Sequence, residues 1–242
     1  MTHTTVPVIF DLDGTLVDPA GGITGGIAAA LTELGLPVPG PDQLDAMVGP
    51  KLSHALTGIA GVPADRLEAV IKIYRAHYVS TGIAQSRLYP GIQDLLEAFV
   101  AAGRPLGVAT QKPEGLARTV LEHHGVAGLF DTIRGSAPDE LAEADASAPA
   151  GKAAIVAAAL ADLETRSRPE TGRAVMVGDR AQDVAGAAAN GLECIGVAWG
   201  FAPDGELEEA GAVEVVHSPA ALHESILRRD AARSEVPTDA NV

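Results

Sequence analysis

The sequence predicts an α/β protein: a parallel sheet with helices on both faces, and an all-helical insertion after the first strand. Three observations lead there. Short apolar runs of strand character recur along the 242 residues, helical patterns separate most of them, and the stretch from about Asp18 to Arg87 carries helical signals alone. Alternating strands and helices bury both faces of a parallel sheet, because each crossover lays a helix on one face.

Taken in order, strand-like runs fall at residues 6–10, 105–109, 131–134, 174–177, 193–197 and 213–216. Helical periodicity fills residues 92–102, 114–124, 152–163 and 181–190 between them. Inside the insertion, helices are expected at 23–34, 42–48, 52–59 and 64–79. The chain enters it through "PAGGITGG" and leaves just before "YPGIQDLLEAF", where Pro90 and Gly91 punctuate the return. Several helices make this a second small domain more readily than one long crossover. The expected division is a core of residues 1–17 and 88–229, a helical cap at 18–87, and a flexible tail at 230–242. The segment 136–151, small, acidic and broken by proline, is expected to be poorly ordered.

Composition narrows the function. A hydrophobic fraction of 47% with 3% aromatic residues describes an aliphatic globular chain, and its net charge of −15 repels nucleic-acid backbones and anionic lipid surfaces. No apolar run is long enough to span a membrane, and "MTHTTVP" carries neither the basic nor the apolar part of a secretory signal. The single cysteine, Cys194, excludes an internal disulfide and multi-cysteine metal sites; a reducing cytoplasm is the expected setting. A small-molecule partner is therefore expected, with no nucleic-acid polymer and no membrane. Neither common glycine-rich phosphate loop is present.

The chemistry concentrates in "VIFDLDGTLVD", residues 8–18. Val8, Ile9 and Phe10 are cheap to bury, whereas Asp11, Asp13 and Asp18 are not unless something positive holds them. Spacing of two sends Asp11 and Asp13 to one side as the strand leaves the sheet. In "MVGDRAQD", spacing of four stacks Asp179 and Asp183 one turn apart if a helix follows. In open parallel sheets ligands lie beyond the carboxyl ends of the strands, so these clusters can converge. Hard carboxylate oxygens suit a magnesium ion that keeps several waters and a phosphate oxygen.

"DLDGTLVD", "VAT" with Thr110, Lys152 at a helix start and "VGDRAQD" occur in this order, and together they resemble the four motifs of the haloacid dehalogenase superfamily. The resemblance spans roughly residues 6–225, with the helical insertion in the place of that family's cap. It implies a Rossmann-like core. "YPGIQDLLEAF", "ATQKPE", "VMVGDR" and "CIGVAWGF" are further similar to its phosphoglycolate phosphatase and bacterial 5′-nucleotidase branches.

The resemblance implies a magnesium-dependent phosphatase acting on a small phosphate monoester. Asp11 would be the nucleophile that forms an aspartyl-phosphate, and Asp13 the acid and then the base. Asp11, the Asp13 carbonyl and Asp179 would hold the metal, with Asp183 supporting a metal water or Lys152. Thr110, Gln111, Lys152 and loop amides around Gly14 would meet the phosphate, with Lys112 the fallback cation because no proline follows Lys152. Lys51, in "GPKL", would reach the leaving group from the cap. Asp13 itself argues for phosphate chemistry, since a departing alcohol needs a proton and a halide does not. Two rivals stand beside this reading: a phosphomutase of the same superfamily, and a non-catalytic phosphate-binding module.

Overall fold

A computed structural model describes residues 5–19, 21–137, 151–166 and 174–234. The chain opens with β1 (Val8–Phe10) and a tight loop into β2 (Val17–Asp18). Helices α1 (Gly22–Glu33), α2 (Pro41–Asp45), α3 (Leu52–Gly58) and α4 (Ala64–His77) follow, and a π-helical turn (Tyr78–Gly82) leads into α5 (Ile83–Gln85). β3 (Arg87–Leu88) then returns antiparallel to β2, pairing Val17 with Leu88 and Asp18 with Arg87. Beyond this two-stranded crossing come α6 (Ile92–Ala101), β4 (Leu106–Pro113), α7 (Glu114–His123), β5 (Thr132–Ser136) and α8 (Lys152–Arg166). The last elements are β6 (Val175–Gly178), α9 (Ala181–Ala188), β7 (Glu193–Val197), α10 (Glu206–Ala210), β8 (Glu214–Val216) and α11 (Pro219–Ser234).

All six expected strands enter one sheet in the order β5-β4-β1-β6-β7-β8, every pair parallel. β1 lies inside the sheet, with Phe10 between Val108 of β4 and Val177 of β6. Its side chains alternate between two apolar layers, as period-two geometry requires. Val8 and Phe10 join Leu96, Phe99, Val120 and Leu222 on the side of α6, α7 and α11. Ile9 joins Val156, Leu163 and Val184 on the side of α8 and α9. The first layer continues through Leu12 and Leu16 into Ile27, Leu56, Val70 and Tyr78 of the helical insertion.

Several boundaries differ from those expected. β4 runs four residues past Ala109 to Pro113, with a register shift between those two positions. Such irregularities re-aim side chains at a strand end, here Thr110, Gln111 and Lys112. Helix α4 gives way at Tyr78 to the π turn, and α2 ends at Asp45. The C-terminal helix continues through Ser234, so residues 230–234 are not the start of a tail. Asp230 accepts the Val6 amide at 2.9 Å and pairs with Arg104 at 2.5 Å, while Arg104 also donates to the Val6 carbonyl. The rest of the expected tail and most of 136–151 lie outside the described residues. Among the described residues no helix is long and apolar enough to cross a membrane.

Candidate active site

The chain leaves β1 toward β4 and β5 on one side, then returns to β6, β7 and β8 on the other. The reversal opens a crevice where a parallel sheet receives ligands. Asp11 follows β1, Thr110 sits in the extension of β4, and Asp179 follows β6. Gly14 turns the β1 loop with φ near 87°, a left-handed conformation that side chains resist. A Cβ there would also strike the Asp179 carboxylate, so the glycine lets the loop backbone lie against that acid. Its amide, expected to be one of the phosphate donors, donates here to the Val17 carbonyl at 2.8 Å.

Two buried lysines divide the carboxylates. Lys152, in the first turn of α8, lies 2.6 Å from both Asp11 Oδ1 and Asp183 Oδ1. Its stem passes Gly186 of α9, where a Cβ would come within 2.8 Å of Lys152 Cγ. Lys112 instead lies 2.7 Å from Asp13 Oδ2 and donates to the Tyr78 hydroxyl at 3.1 Å. Burial opposes the charge on each lysine, but Asp11 and Asp183 hold Lys152, and Asp13 holds Lys112, above the ordinary lysine range. Asp183 Oδ2 also accepts the Arg180 amide at 3.0 Å.

Asp179 is fully buried and has no such cation. Its oxygens accept the Thr15 hydroxyl at 3.1 Å and the Phe201 amide at 2.8 Å, and among the described residues no lysine or arginine pairs with it. Burial, then the charges of Asp183 and Asp11, push its carboxyl well above the usual range. Burial also raises Asp183 and Asp13, with their lysines opposing. Four carboxylates against two ammonium groups leave an excess of two negative charges.

Asp11, Asp179 and Asp183 each present an oxygen within 4.8 Å of the others, and all three are buried. A buried trio of hard oxygens with an uncompensated Asp179 fits a divalent cation, by donor chemistry and by charge. The Asp13 side chain is not part of the trio; Oδ2 faces Lys112, and Oδ1 is buried without a hydrogen-bond partner.

A cavity of about 50 Å³ lies between the strand ends and the helical insertion. Asp11, Asp13, Thr110, Gln111 and Lys112 line it from the sheet; Met47–Leu52, Tyr74 and Arg75 line it from the insertion, without Lys51. Lys51 directly precedes α3, half-buried, while its neighbours Pro50 and Leu52 face the cavity. Gln111 donates to the Gly49 carbonyl at 3.2 Å, and Arg180 donates to the Val48 carbonyl at 2.6 Å while pairing with Glu206. One side chain from β4 and one from the start of α9 thus hold the insertion's 48–49 loop over the cavity. Trp199 packs against the core and also donates to the Thr15 carbonyl at 3.1 Å.

Sequence reasoning did not single out Thr15, Arg180 or the Phe201 amide. Thr15 and Arg180 sit inside the quoted motifs; Phe201 ends the quoted "CIGVAWGF", but nothing local marks its amide as a donor to Asp179.

The fold and the strand-end acids define a hydrolase of the class first suggested by the motifs. The chain belongs to the haloacid dehalogenase-like hydrolase family, whose model matches residues 8–197. It is 39% identical over 211 residues to the tyrosine-protein kinase PtkA of Mycobacterium tuberculosis, covering 87% of this chain and 68% of that one. Identity is 35% to a 5′-nucleotidase of Pseudomonas aeruginosa (83% of this chain, 86% of that) and 33% to a phosphoglycolate phosphatase of Rhodospirillum rubrum (89% and 88%). Among solved structures, a predicted phosphatase from Clostridium acetobutylicum superposes with a TM-score of 0.81 at 34% identity, over 93% of this chain and all (100%) of that one.

Proposed function

We propose that this protein is a magnesium-dependent phosphatase that hydrolyses a small phosphate monoester through an aspartyl-phosphate on Asp11. The observation that carries the reading is one cavity lined by two carboxylates with different partners. Asp11 is held by Lys152, whereas Asp13 keeps a buried oxygen with no partner. A nucleophile and a separate proton carrier are what a two-step phosphoryl transfer requires.

In the first step an Asp11 oxygen bonds to phosphorus as the ester P–O bond breaks, and Asp13 gives its proton to the leaving oxygen. In the second, water attacks phosphorus, the bond from the Asp11 oxygen to phosphorus breaks to free the carboxylate and release phosphate, and Asp13 takes the proton of the water. Thr110 and Lys152 supply hydroxyl and ammonium donors to the phosphate oxygens. Charge stabilisation of that kind is the main demand of this chemistry. Asp11, Asp179 and the Asp13 carbonyl would hold magnesium, which supplies positive charge against the phosphate. Asp183 keeps Lys152 in line.

The helical segment 18–87 acts as a cap domain in this reading. The cavity, about 50 Å³, is far below the roughly 300 Å³ of ordinary ligand pockets. An ester of phosphoglycolate or nucleotide size therefore enters when the segment swings away, at the β2–β3 crossing, and reacts once it returns. A cytoplasmic setting suits such substrates.

The kinase name of one relative does not displace this reading, because a buried acid aimed at phosphorus serves transfer to Asp11 itself. The test is incubation with magnesium and phosphoglycolate, nucleoside 5′-monophosphates or aryl phosphates. Phosphate and alcohol should appear in equal amounts over many turnovers, and Asp11→Asn should abolish both. Alcohol released in one burst without phosphate would support the phosphomutase; ester binding without turnover would support the non-catalytic module.

A further inference from the structure

The two lysines of the site are not equivalent. Lys152 addresses Asp11 and Asp183, on the nucleophile's side. Lys112 touches neither; it sits 2.7 Å from Asp13 Oδ2, with only 8% of its surface exposed. The other Asp13 oxygen, Oδ1, is buried and unpartnered in a residue that lines the cavity. A buried carboxyl oxygen without a partner is costly unless a bound group completes it; protonated, Oδ1 can donate to the leaving oxygen of the ester.

Lys112 is itself tightly held. Its backbone amide donates to Thr110 Oγ1 at 3.2 Å, within the irregular stretch of β4 between Ala109 and Pro113. Its Nζ donates to the Tyr78 hydroxyl at 3.1 Å and lies 4.4 Å from that ring's centroid. Tyr78 is fully buried in the π turn of the helical insertion and stacks on Tyr74 at 5.8 Å between centroids. A carboxyl group pinned at one oxygen has little freedom left. The pinned oxygen accepts from the ammonium, and the free oxygen is where a proton can reside.

We infer that Lys112, anchored by Tyr78, is a positioning residue that fixes Asp13 by Oδ2 so that Oδ1 carries the proton delivered to the leaving oxygen. This rests on the phosphatase reading above. In the balanced step, the ester P–O bond breaks, the alcohol oxygen takes the Oδ1 proton, and Asp13 becomes a carboxylate facing Lys112. The inference places a polar contact from the insertion within two hydrogen bonds of the acid. Displacing the insertion would loosen Asp13.

The experiment compares kcat/KM for the fastest alkyl ester of the series above with that for dinitrophenyl phosphate, in wild type, Lys112→Met and Tyr78→Phe, all with magnesium. The ratio isolates leaving-group departure, because kcat/KM excludes the later hydrolysis of the aspartyl-phosphate. An alkoxide cannot leave without a proton, whereas dinitrophenolate can. Lys112→Met should lower alkyl kcat/KM by about 100-fold, the low end of what a positioned acid contributes, and the dinitrophenyl value by less than about threefold. A burst of dinitrophenolate equal to the enzyme should appear, since Asp13 must also act in the second step. Tyr78→Phe should shift the same ratio in the same direction by at least about threefold.

Equal losses on both esters would mean that Lys112 serves the phosphate or the fold, and would overturn the inference. So would no change on either. If Lys112→Met lacks a cooperative melt, Tyr78→Phe decides: an unchanged ratio overturns the inference and a shifted one supports it. Wild type that hydrolyses neither ester overturns the phosphatase reading, and the inference with it.

Discussion

Replacing Asp179 with asparagine should stabilise the protein without metal and destabilise it, relative to wild type, with metal. Asp179 lies within 4.8 Å of carboxylate oxygens on both Asp11 and Asp183. At an effective dielectric of about 20, unit charges at that distance repel by roughly 3.5 kcal/mol. Lys152 offsets part of this for Asp11 and Asp183, and uptake of a proton by Asp179 relieves more. Asparagine also keeps one acceptor oxygen where two are used, for Thr15 and Phe201, at a cost of about 1–3 kcal/mol. A net gain of roughly 2 kcal/mol remains, or about 4–8 °C in Tm for a chain of this size.

The pH dependence has a defined sign. A carboxyl whose folded pKa is raised costs nothing below its ordinary value near 3.8 and destabilises progressively as pH rises through the folded value. The variant's advantage in chelator should therefore grow from about pH 4 upward. Magnesium at about 100 times its Kd should add about 2.7 kcal/mol to wild type and little to the variant, which inverts the order. Thermal unfolding followed by circular dichroism, with chelator and with magnesium across pH 4–8, is the assay. A variant that melts below wild type in chelator at pH 7 would refute the reasoning, because the acids would then not be in net repulsion.

Three further outcomes are expected. Arg104→Met should cost about 3 kcal/mol, since it removes the buried cation that pairs with Asp230 and the donor to the Val6 carbonyl just before β1. Chemical denaturation would measure this, and a double variant with Asp230→Leu should recover part of it. Gly186→Ala should push the Lys152 stem aside, the Cβ lying 2.8 Å from its Cγ, and lower kcat/KM alike for all esters while costing about 1–3 kcal/mol in a melt. Lys51→Ala should leave kcat/KM within about twofold for every ester, because the 47–52 loop faces the cavity through other residues. A selective loss on one ester class in steady-state assays would restore Lys51 to the leaving-group site.

The strands and the acids at their ends were legible because both are local. An apolar run flanked by turn residues declares a buried strand with acids just past its end. The expected helical stacking of Asp179 on Asp183 does not form, because α9 begins at Ala181 after an extended Arg180 and the two acids meet across that turn. The helical insertion declared itself by the same periodicity. Helix α11 was not foreseen, and the expected tail begins inside it at Asp230, an ordinary surface acid until Arg104 and the Val6 amide, far away in the chain, meet it.

What tertiary structure alone decided is the pairing of charges. "TQKP" and "GKAA" each offer one lysine, and either could have answered the first aspartates; Lys152 is 141 residues from Asp11. Strand order places α8 beside β4 and β5 and its first turn against Asp11, while the irregular end of β4 turns Lys112 toward Asp13. Tyr78, on a helix with several candidate faces, reaches Lys112 through the π turn, and Lys51 falls outside the cavity lining by one residue. Periodicity fixes which side of its own element a residue takes. Which partner it meets depends on how separate elements pack, and a local pattern carries no record of that.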